Sequence, residues 1–250
     1  MDAVTRTPRA VLFDLDATLF DQPGALRRGI LAHAAALGAP YDTATDDEIV
    51  AAWLEAERLH YERYLTGELD YAGQRRARAR EFAARFGAPP LDDDEAALAW
   101  FLRYYEAYQA TWRVYDDVHA ALDALEASLP GIRFGIITNG ELELQRRKLE
   151  AIGASERMLH VVASGELGVA KPDPRIFAHA VERFGLAADE VVYVGDRILV
   201  DALGAAAAGL IGVWIDREGT GWAEYEAEAQ AAGIHRISSL AELPELLTAR

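Results

Sequence analysis

One short stretch near the start of the chain constrains the fold most strongly. Residues 10–13 are apolar without a break, and the carboxylates of Asp14 and Asp16 follow at once. An unbroken run of Val, Leu and Phe is typical of a strand buried on both faces, as in a parallel sheet. Because side chains alternate along a strand, we expect Asp14 and Asp16 to lean to the same side, a few ångströms apart.

Two interpretations of this carboxylate pair are open. Like charges this close repel each other, and burying either one is costly, so such a pair usually holds a cation or shares a proton. The alternative is an ordinary strand that ends in an Asp-rich turn and a helix N-cap. The stretch taken alone favours neither interpretation.

Composition bounds the class of protein. The chain has 250 residues, 51% of them apolar, which suffices for one large domain or for a domain with an insertion. The absence of cysteine excludes disulfides, zinc–thiolate sites and thiol nucleophiles. No apolar stretch approaches the ~18 residues of a membrane span, and the first residues lack the apolar segment of a signal peptide. We therefore expect a soluble, cytoplasmic protein with no membrane partner.

The net charge of −16 narrows the possible partners. Nucleic-acid binding depends on many Lys and Arg contacts with phosphates, so we predict no nucleic-acid partner. A small phosphorylated metabolite is compatible with the charge, since a local cationic pocket outweighs a distant, screened field. Solubility alone also explains an acidic surface.

The order of the predicted elements divides the chain in two. From about residue 25 to residue 112 the pattern is helical, with apolar residues spaced three and four apart and no convincing strand. From residue 115 onward short apolar strands alternate with helices, which indicates a parallel sheet covered on both faces. The first strand most simply joins that sheet. We therefore predict an α/β fold, a doubly wound Rossmann-like parallel sheet core formed by residues 1–20 and 113–250, with an all-helical domain, residues 21–112, inserted.

Polar side chains follow the later predicted strands, at the position where ligands bind in open parallel sheets. Thr138 and Asn139 end one strand, Asp196 ends another, and Lys171 and Asp201 lie in segments that follow strands. Each has an ordinary alternative, namely a turn with a left-handed glycine, an exposed helix entry or a helix cap. Their occurrence together and in this order is much less easily explained by chance.

On these residues the chain resembles the haloacid dehalogenase-like (HAD) hydrolase superfamily. The four motifs of that superfamily occur in order, and they are carried by Asp14, Asp16, Thr18, Thr138, Lys171, Asp196 and Asp201. Any one of the motifs is weak, but the set is specific. Residues 198–200 depart from the usual pattern, because they are more apolar than the loop that generally precedes the last aspartate.

The resemblance implies roles for these residues. Asp14 would attack phosphorus and carry an aspartyl-phosphate, and Asp16 would protonate the leaving oxygen and later deprotonate the water. Mg²⁺ would bind to Asp14, to the backbone carbonyl of Asp16 and to Asp196, an all-oxygen set that suits a small, hard cation. The phosphoryl oxygens would be held by Thr138, Asn139 and Lys171. Thr18 and Asp201 would support the site.

The resemblance also implies a function for the inserted helices. In this superfamily a helical segment between the first and second motifs, a C1 cap, closes over the site and selects the substrate. Residues 135–140 and 168–172 most resemble the branch that contains pyrimidine 5′-nucleotidases and N-acylneuraminate-9-phosphatases. We therefore predict a Mg²⁺-dependent phosphomonoesterase acting on a nucleoside monophosphate or a phosphosugar, as a monomer or homodimer.

Two alternatives to a phosphatase stay open. One is a haloacid dehalogenase or a phosphonatase. It is disfavoured by the second carboxylate, Asp16, and by the absence of an obvious Schiff-base lysine in the inserted helices. The other is a non-catalytic HAD-fold binding protein.

Most side chains of the inserted helices are expected to be structural. Most of the five arginines between positions 75 and 85, Arg78 among them, are predicted on a solvated helix face, and one of them could reach a substrate carboxylate or phosphate. The tyrosines, Tyr61 and Tyr104 among them, recur at helical spacing. They are predicted in the core rather than in a platform that stacks on a base.

Overall fold

The computed structural model describes residues 7–249. They form two compact units, one comprising the chain up to Asp21 and from Arg113 onward, the other Gln22–Trp112. The inserted unit was predicted to span residues 21–112, and in the structure it spans Gln22–Trp112. The first unit contains strands and helices, and residues 22–112 contain helices without a strand.

A single six-stranded sheet forms the centre of the α/β unit. Its strands are Ala10–Phe13 (β1), Arg133–Thr138 (β2), Met158–Ala163 (β3), Val191–Gly195 (β4), Ile211–Ile215 (β5) and His235–Ile237 (β6). The order across the sheet is β3-β2-β1-β4-β5-β6, and every neighbouring pair is parallel. The predicted doubly wound parallel sheet is confirmed, and the first strand joins it as expected.

β1 lies in the middle of the sheet, and its register decides where the first carboxylates point. Phe13 is paired with Ile136 of β2 on one side and with Val194 of β4 on the other. All four residues of β1 are fully buried, as the unbroken apolar run predicts. Because the carboxyl ends of parallel strands meet at one edge, the residues that follow β1, β2 and β4 are neighbours at that edge.

The inserted unit consists mainly of four helices, Gln22–Leu37 (α1), Asp46–Leu65 (α2), Tyr71–Arg85 (α3) and Asp94–Gln109 (α4). Three of them begin at a polar residue whose side chain accepts a backbone N–H, and these N-caps are Thr45, Asp70 and Asp93. An aromatic core joins the helices. The ring of Trp53 lies 4.2 Å from that of Tyr104 and 5.6 Å from that of Phe82, so α2, α3 and α4 share one cluster.

Two side chains of this unit, those of Arg78 and Tyr61, are exceptions to the expected pattern. Arg78 is buried rather than solvated, because its guanidinium lies 4.8 Å over the Trp53 ring and pairs with Glu57 at 3.1 Å. A charged group enters a core when an opposite charge and an aromatic face meet it there. Tyr104 is buried as expected, whereas Tyr61 is 47% exposed.

The α/β unit contains seven α-helices within the described residues. They are Val118–Ser128 (α5), Leu142–Ala151 (α6), Ser164–Leu167 (α7), Pro174–Phe184 (α8), Leu203–Ala207 (α9), Glu226–Ala231 (α10) and Leu243–Thr248 (α11). The apolar side of α8 packs Phe177 against Leu12 and Tyr193 on one face of the sheet. Strand alternation turns Phe13 to the opposite face, where its ring centroid lies 6.1 Å from that of Phe134.

Within residues 7–249 no helix has the length and apolarity needed to cross a membrane. A cytoplasmic location and the lack of a nucleic-acid partner stay predictions from the sequence. So does the oligomeric state, monomer or homodimer.

Candidate active site

The first carboxylate after β1 meets a buried lysine. Asp14 follows β1 directly and is 7% exposed. Its Oδ1 accepts a hydrogen bond from Lys171 Nζ at 2.7 Å. The Lys171 side chain, in the segment between α7 and α8, is only 3% exposed. A lysine ammonium is stable in such an environment only when opposite charges surround it.

Lys171 has two further partners. Its Nζ also donates to Asp201 Oδ1 and to the Tyr193 hydroxyl oxygen, each at 2.7 Å. The Tyr193 hydroxyl in turn donates to the carbonyl of Ile137 at 2.8 Å. All three protons of the ammonium therefore have an acceptor. Burial on its own lowers the pKa of Lys171, but the charges of Asp14 and Asp201 outweigh burial and raise it above its ordinary value.

Asp201 reaches Lys171 from an unusual turn. Residues Ile198–Ala202 form a π-helical turn that continues into α9. Such turns are rare and occur frequently at functional sites. The Asp201 Oδ2 accepts the backbone N–H of Arg197 at 2.9 Å, which fixes the carboxylate while Oδ1 faces Lys171.

Gly195, the last residue of β4, leaves room for Asp201. A Cβ at position 195 would lie 2.4 Å from Asp201 Cγ, well inside van der Waals contact. Glycine is therefore required by the close approach of a carboxylate. The next residue, Asp196, has its carbonyl held by the indole N–H of Trp214 at 2.8 Å.

Asp14, Asp196 and Asp201 form one acidic cluster. One carboxylate oxygen from each lies within 4.8 Å of the others. Burial raises the pKa of Asp14 to about 8, against the opposing charge of Lys171 and with added repulsion from Asp201. Burial and the nearby Asp201 likewise raise the pKa of Asp196 to about 6. The cluster is therefore short of positive charge.

This cluster fits a small divalent cation. Three carboxylates that face one ammonium leave two negative charges when all are ionised, which is the charge that one Mg²⁺ balances. The donors are carboxylate oxygens, the ligand type that Mg²⁺ prefers. Both oxygens of Asp201 already accept a hydrogen bond, Oδ1 from Lys171 and Oδ2 from the backbone N–H of Arg197. The side chains of Asp14 and Asp196 are therefore the ones that could hold an ion.

The end of β2 is tied to the Lys171 segment. The Asn139 side chain accepts the backbone N–H of Lys171 at 2.8 Å and donates to the Lys171 carbonyl at 3.0 Å. These two bonds hold the backbone of Lys171 beside the last residue of β2, Thr138, which is buried. The structure therefore gathers the residues predicted after β1, β2 and β4 at one edge of the sheet.

Asp16 faces a different set of partners. Its Oδ1 lies 2.5 Å from Lys148 Nζ, and its Oδ2 accepts a hydrogen bond from Gln145 Nε2 at 3.3 Å. Both partners lie on α6, one turn apart. The Asp16 carboxylate is not a member of the acidic cluster found among the described residues. Its charge also raises the pKa of Asp14, but by less than burial and the charges of Asp201 and Asp196 do.

Thr18 lies in the turn that follows Asp16. Its side chain is fully buried, and its hydroxyl has no hydrogen-bond partner in the described part of the chain. Its carbonyl accepts from Arg217 Nη2 at 2.8 Å, and Arg217 is itself paired with Asp117. The structure thus anchors Thr18 through its backbone, and a supporting role of its hydroxyl stays a prediction.

Three polar residues of the site were not predicted, namely Tyr193, Lys148 and Gln145. The sequence holds a signal for two of them. The chain has only two lysines, Lys148 and Lys171, and both are buried against carboxylates. Tyr193 brings a hydroxyl into an otherwise aliphatic strand, where a buried hydroxyl requires a partner. Gln145 offers no signal beyond its spacing of one helical turn from Lys148.

A family model and several relatives of known function place this chain in the same family. The family model of haloacid dehalogenase-like hydrolases matches residues 8–209. N-acylneuraminate-9-phosphatase of Mus musculus is 30% identical over 242 residues, which are 96% of this chain and 93% of that protein. Pyrimidine 5′-nucleotidase YjjG of Escherichia coli is 29% identical over 245 residues, 95% of this chain and 96% of that protein. Phosphoserine phosphatase of Thermus thermophilus is 37% identical over 160 residues, 62% of this chain and 61% of that protein.

A solved dehalogenase shares the fold. It is 25% identical to this chain with a TM-score of 0.70, over 98% of this chain and 100% of that one. The family match covers most of the chain, and a relative at 30% identity aligns over nearly its whole length. This chain therefore belongs to the haloacid dehalogenase-like hydrolases.

Proposed function

We propose that this protein is a Mg²⁺-dependent phosphomonoesterase that hydrolyses a small phosphorylated metabolite through an aspartyl-phosphate. The observation that carries the proposal is the buried pair of Asp14 and Lys171 beside Asp196 and Asp201. A carboxylate nucleophile meets an anionic phosphate only where positive charge offsets their repulsion. The names of the relatives, two phosphatases and a nucleotidase, support the same reaction.

The first half-reaction employs the carboxylates of Asp14 and Asp16. An oxygen of Asp14 attacks phosphorus, the bond from phosphorus to the ester oxygen breaks, and that oxygen takes a proton from Asp16. Lys171 offsets negative charge on the phosphoryl oxygens. Asp14, Asp196 and the backbone carbonyl of Asp16 would hold Mg²⁺, which would supply further positive charge at the phosphoryl group.

The second half-reaction restores both carboxylates. Asp16 takes a proton from a water molecule, whose oxygen attacks phosphorus while the bond from phosphorus to Asp14 breaks. Inorganic phosphate leaves, and Asp16 is protonated for the next turnover. In this scheme the Thr138 side chain and the backbone N–H of Asn139 hold phosphoryl oxygens, and Asp201 keeps Lys171 in place.

Hydrolysis of a carbon–halogen bond is the second candidate, because a solved dehalogenase has the same fold. A halide leaves as a stable anion and requires no acid. The carboxylate of Asp16 and its two partners on α6 have no task in that reaction, which favours a phosphate ester. Residues 22–112 contain no lysine, so they offer no Schiff base for a phosphonatase. A halide-release assay beside a phosphate-release assay separates the two reactions.

We further propose that the helical unit, residues 22–112, selects the substrate. The names of the relatives point to a nucleoside monophosphate or a phosphosugar. Phosphate release measured over a panel of such metabolites tests this class directly. Rates no higher than those of a generic phosphate ester across the panel would contradict it.

The test of the proposed chemistry is the Asp14→Asn variant. It removes the nucleophile at nearly constant size, so turnover of p-nitrophenyl phosphate in Mg²⁺ is expected to vanish. Asp123→Asn, at an exposed residue paired with Arg157, is the matched control and should keep the wild-type rate. Activity retained in Asp14→Asn would remove Asp14 from this role. Absence of both turnover and Mg²⁺ binding in the wild type would instead favour a non-catalytic protein.

A further inference from the structure

The ion pair between Lys148 and Asp16 is the strongest unexplained feature of the α/β unit. Lys148 Nζ lies 2.5 Å from Asp16 Oδ1, and the lysine side chain is 5% exposed against 21% for the aspartate. The ammonium also lies 5.3 Å from the centre of the buried Phe20 ring. Lysine is among the residues least often buried, so an ammonium held this deep requires a specific reason.

Gln145 completes the grip on Asp16. It precedes Lys148 by one turn of α6, so both side chains lie on the same face of the helix. Gln145 Nε2 lies 3.3 Å from Asp16 Oδ2 and 3.4 Å from the Asn139 carbonyl. The two oxygens of the Asp16 carboxylate thus have one partner each, and its rotation is restricted.

Each of the two lysines of the chain contacts one of the two carboxylates of the first motif. Lys171 is fully engaged by Asp14, Asp201 and Tyr193, and Lys148 is engaged by Asp16. Every other basic residue among the 25 is an arginine. Without Lys148, the repulsion from Asp14 would push the Asp16 carboxylate away, or Asp16 would compete for Lys171.

We propose that Lys148 is a positioning residue that holds the Asp16 carboxylate where it can exchange a proton with the leaving group. This inference rests on the proposed phosphatase function. Lys148 does not touch the reacting atoms in this scheme; it acts through Asp16. Its loss therefore affects the steps in which Asp16 moves a proton, and it leaves the attack by Asp14 intact.

The leaving group makes this role measurable. A p-nitrophenolate departs readily without a proton, whereas an alkoxide departs only with one, so misplacing the acid harms alkyl esters selectively. In Lys148→Met we expect the rate constant of the first half-reaction, measured in single turnover, to fall about 100-fold for glycerol phosphate and less than about tenfold for p-nitrophenyl phosphate. The second half-reaction, in which Asp16 deprotonates water, is common to both esters, so its slowing lowers the steady-state kcat of both. Binding of either ester should change little. Lys148→Arg keeps the charge and should recover part of the alkyl-ester rate.

Comparison with Asp16→Asn separates positioning from stability. Asp16→Asn should give the same selective loss, and adding Lys148→Met to it should cost little more, since both changes act on one step. The double variant also leaves no unpaired charge, so it folds even where Lys148→Met alone does not. Equal losses for the two esters in the first half-reaction, or weaker ester binding with that rate constant unchanged, would overturn the positioning role.

Two assay outcomes distinguish an incorrect role of Lys148 from an incorrect phosphatase function. If the wild type hydrolyses both esters and Lys148→Met hydrolyses both at wild-type rates, only the role of Lys148 is refuted. If the wild type hydrolyses neither ester, both proposals are refuted together.

Nuclear magnetic resonance gives a readout that needs no activity. Protein labelled with ¹⁵N-lysine carries only two side-chain ammonium groups, and Lys148→Met assigns them. Asp16→Asn should move the Lys148 signal and leave that of Lys171 in place, because Lys171 has other partners. An unchanged Lys148 signal in Asp16→Asn would show that the pair does not exist in solution, which overturns the inference.

Discussion

At the scale of single residues, the space above Gly195 decides whether Asp201 can reach Lys171. We predict that Gly195→Ala overpacks this point at a cost of about 1–3 kcal/mol in unfolding free energy. It should also lower kcat roughly 10- to 100-fold, because the charged hydrogen bond from Asp201 to Lys171 is displaced. Urea unfolding and p-nitrophenyl phosphate turnover measure the two effects.

The contact with Asp201 can be isolated with a double variant. If the clash is the cause, adding Gly195→Ala to Asp201→Ala should cost little beyond Asp201→Ala alone. Additive losses in stability and rate would place the effect of Gly195→Ala elsewhere in β4.

In contrast, we predict that Tyr193 supports the site without taking part in the chemistry. Its hydroxyl bridges Lys171 and the carbonyl of Ile137. Tyr193→Phe should lower the unfolding free energy by about 1–2 kcal/mol in urea, because it removes the buried hydrogen bonds that the hydroxyl makes with Lys171 and with the Ile137 carbonyl. Lys171 keeps Asp14 and Asp201, so kcat should fall by less than about tenfold. A loss as complete as that of Asp14→Asn would show that the hydroxyl acts in catalysis.

At the scale of elements, Asp216 fastens the ends of β5 and β6. Its Oδ1 accepts the N–H and the hydroxyl of Thr220, each at 3.0 Å, and its Oδ2 accepts the N–H of Gly221 at 2.9 Å and the guanidinium of Arg236 of β6. Burial on its own raises the pKa of Asp216, but these donors outweigh burial and hold the pKa below its ordinary value. The ionised form is therefore the one that stabilises the fold.

The sign of the resulting pH dependence follows from linkage. A carboxylate with a depressed pKa stabilises the folded state above its unfolded pKa, and the contribution is lost as pH falls through the folded value. The gap in unfolding free energy between wild type and Asp216→Asn should be constant near pH 7 and shrink below about pH 4. Denaturant unfolding at several pH values measures it, and a gap independent of pH would contradict the assignment.

Elements whose pattern is local could be predicted from the sequence, and those that depend on distant contacts could not. The alternation of short apolar strands and helices predicted after residue 115 is present, for example in the helix Val118–Ser128 and the strands Arg133–Thr138 and Ile211–Ile215. The π turn at Ile198–Ala202 could not be predicted, because its apolar residues show no distinctive period. The pair of Lys148 and Asp16 spans 132 positions, and nothing local in the sequence connects them.

At the scale of the whole molecule, we predict that the acidic cluster makes stability depend on Mg²⁺. Anything that binds only the folded state stabilises it by mass action, by about 2.7 kcal/mol at a concentration 100 times its dissociation constant. For a chain of this size we therefore expect Mg²⁺ to raise Tm by roughly 5–10 °C. Differential scanning calorimetry with and without a chelator measures the shift, and an unchanged Tm would contradict a metal site.

Asp196→Asn is the variant that tests the electrostatic origin of this effect. Without metal, burial and Asp201 raise the pKa of Asp196, so its ionised form at neutral pH destabilises the folded state. Asp196→Asn should therefore have a higher Tm than the wild type in chelator, and it should lose the rise in Tm on adding Mg²⁺. A lower Tm in chelator would show that Asp196 stabilises the fold by another contact.

The burial of both lysines has a consequence for covalent modification. Acetylation, succinylation or any other acylation of a lysine in this chain must occur at Lys148 or Lys171, and each is enclosed beside a carboxylate. The folded protein should therefore resist reagents directed at side-chain amines. An acyl group on Lys148 removes the positive charge opposite Asp16, and one on Lys171 removes the charge opposite Asp14. Acylation of any lysine in this chain should therefore also damage the site.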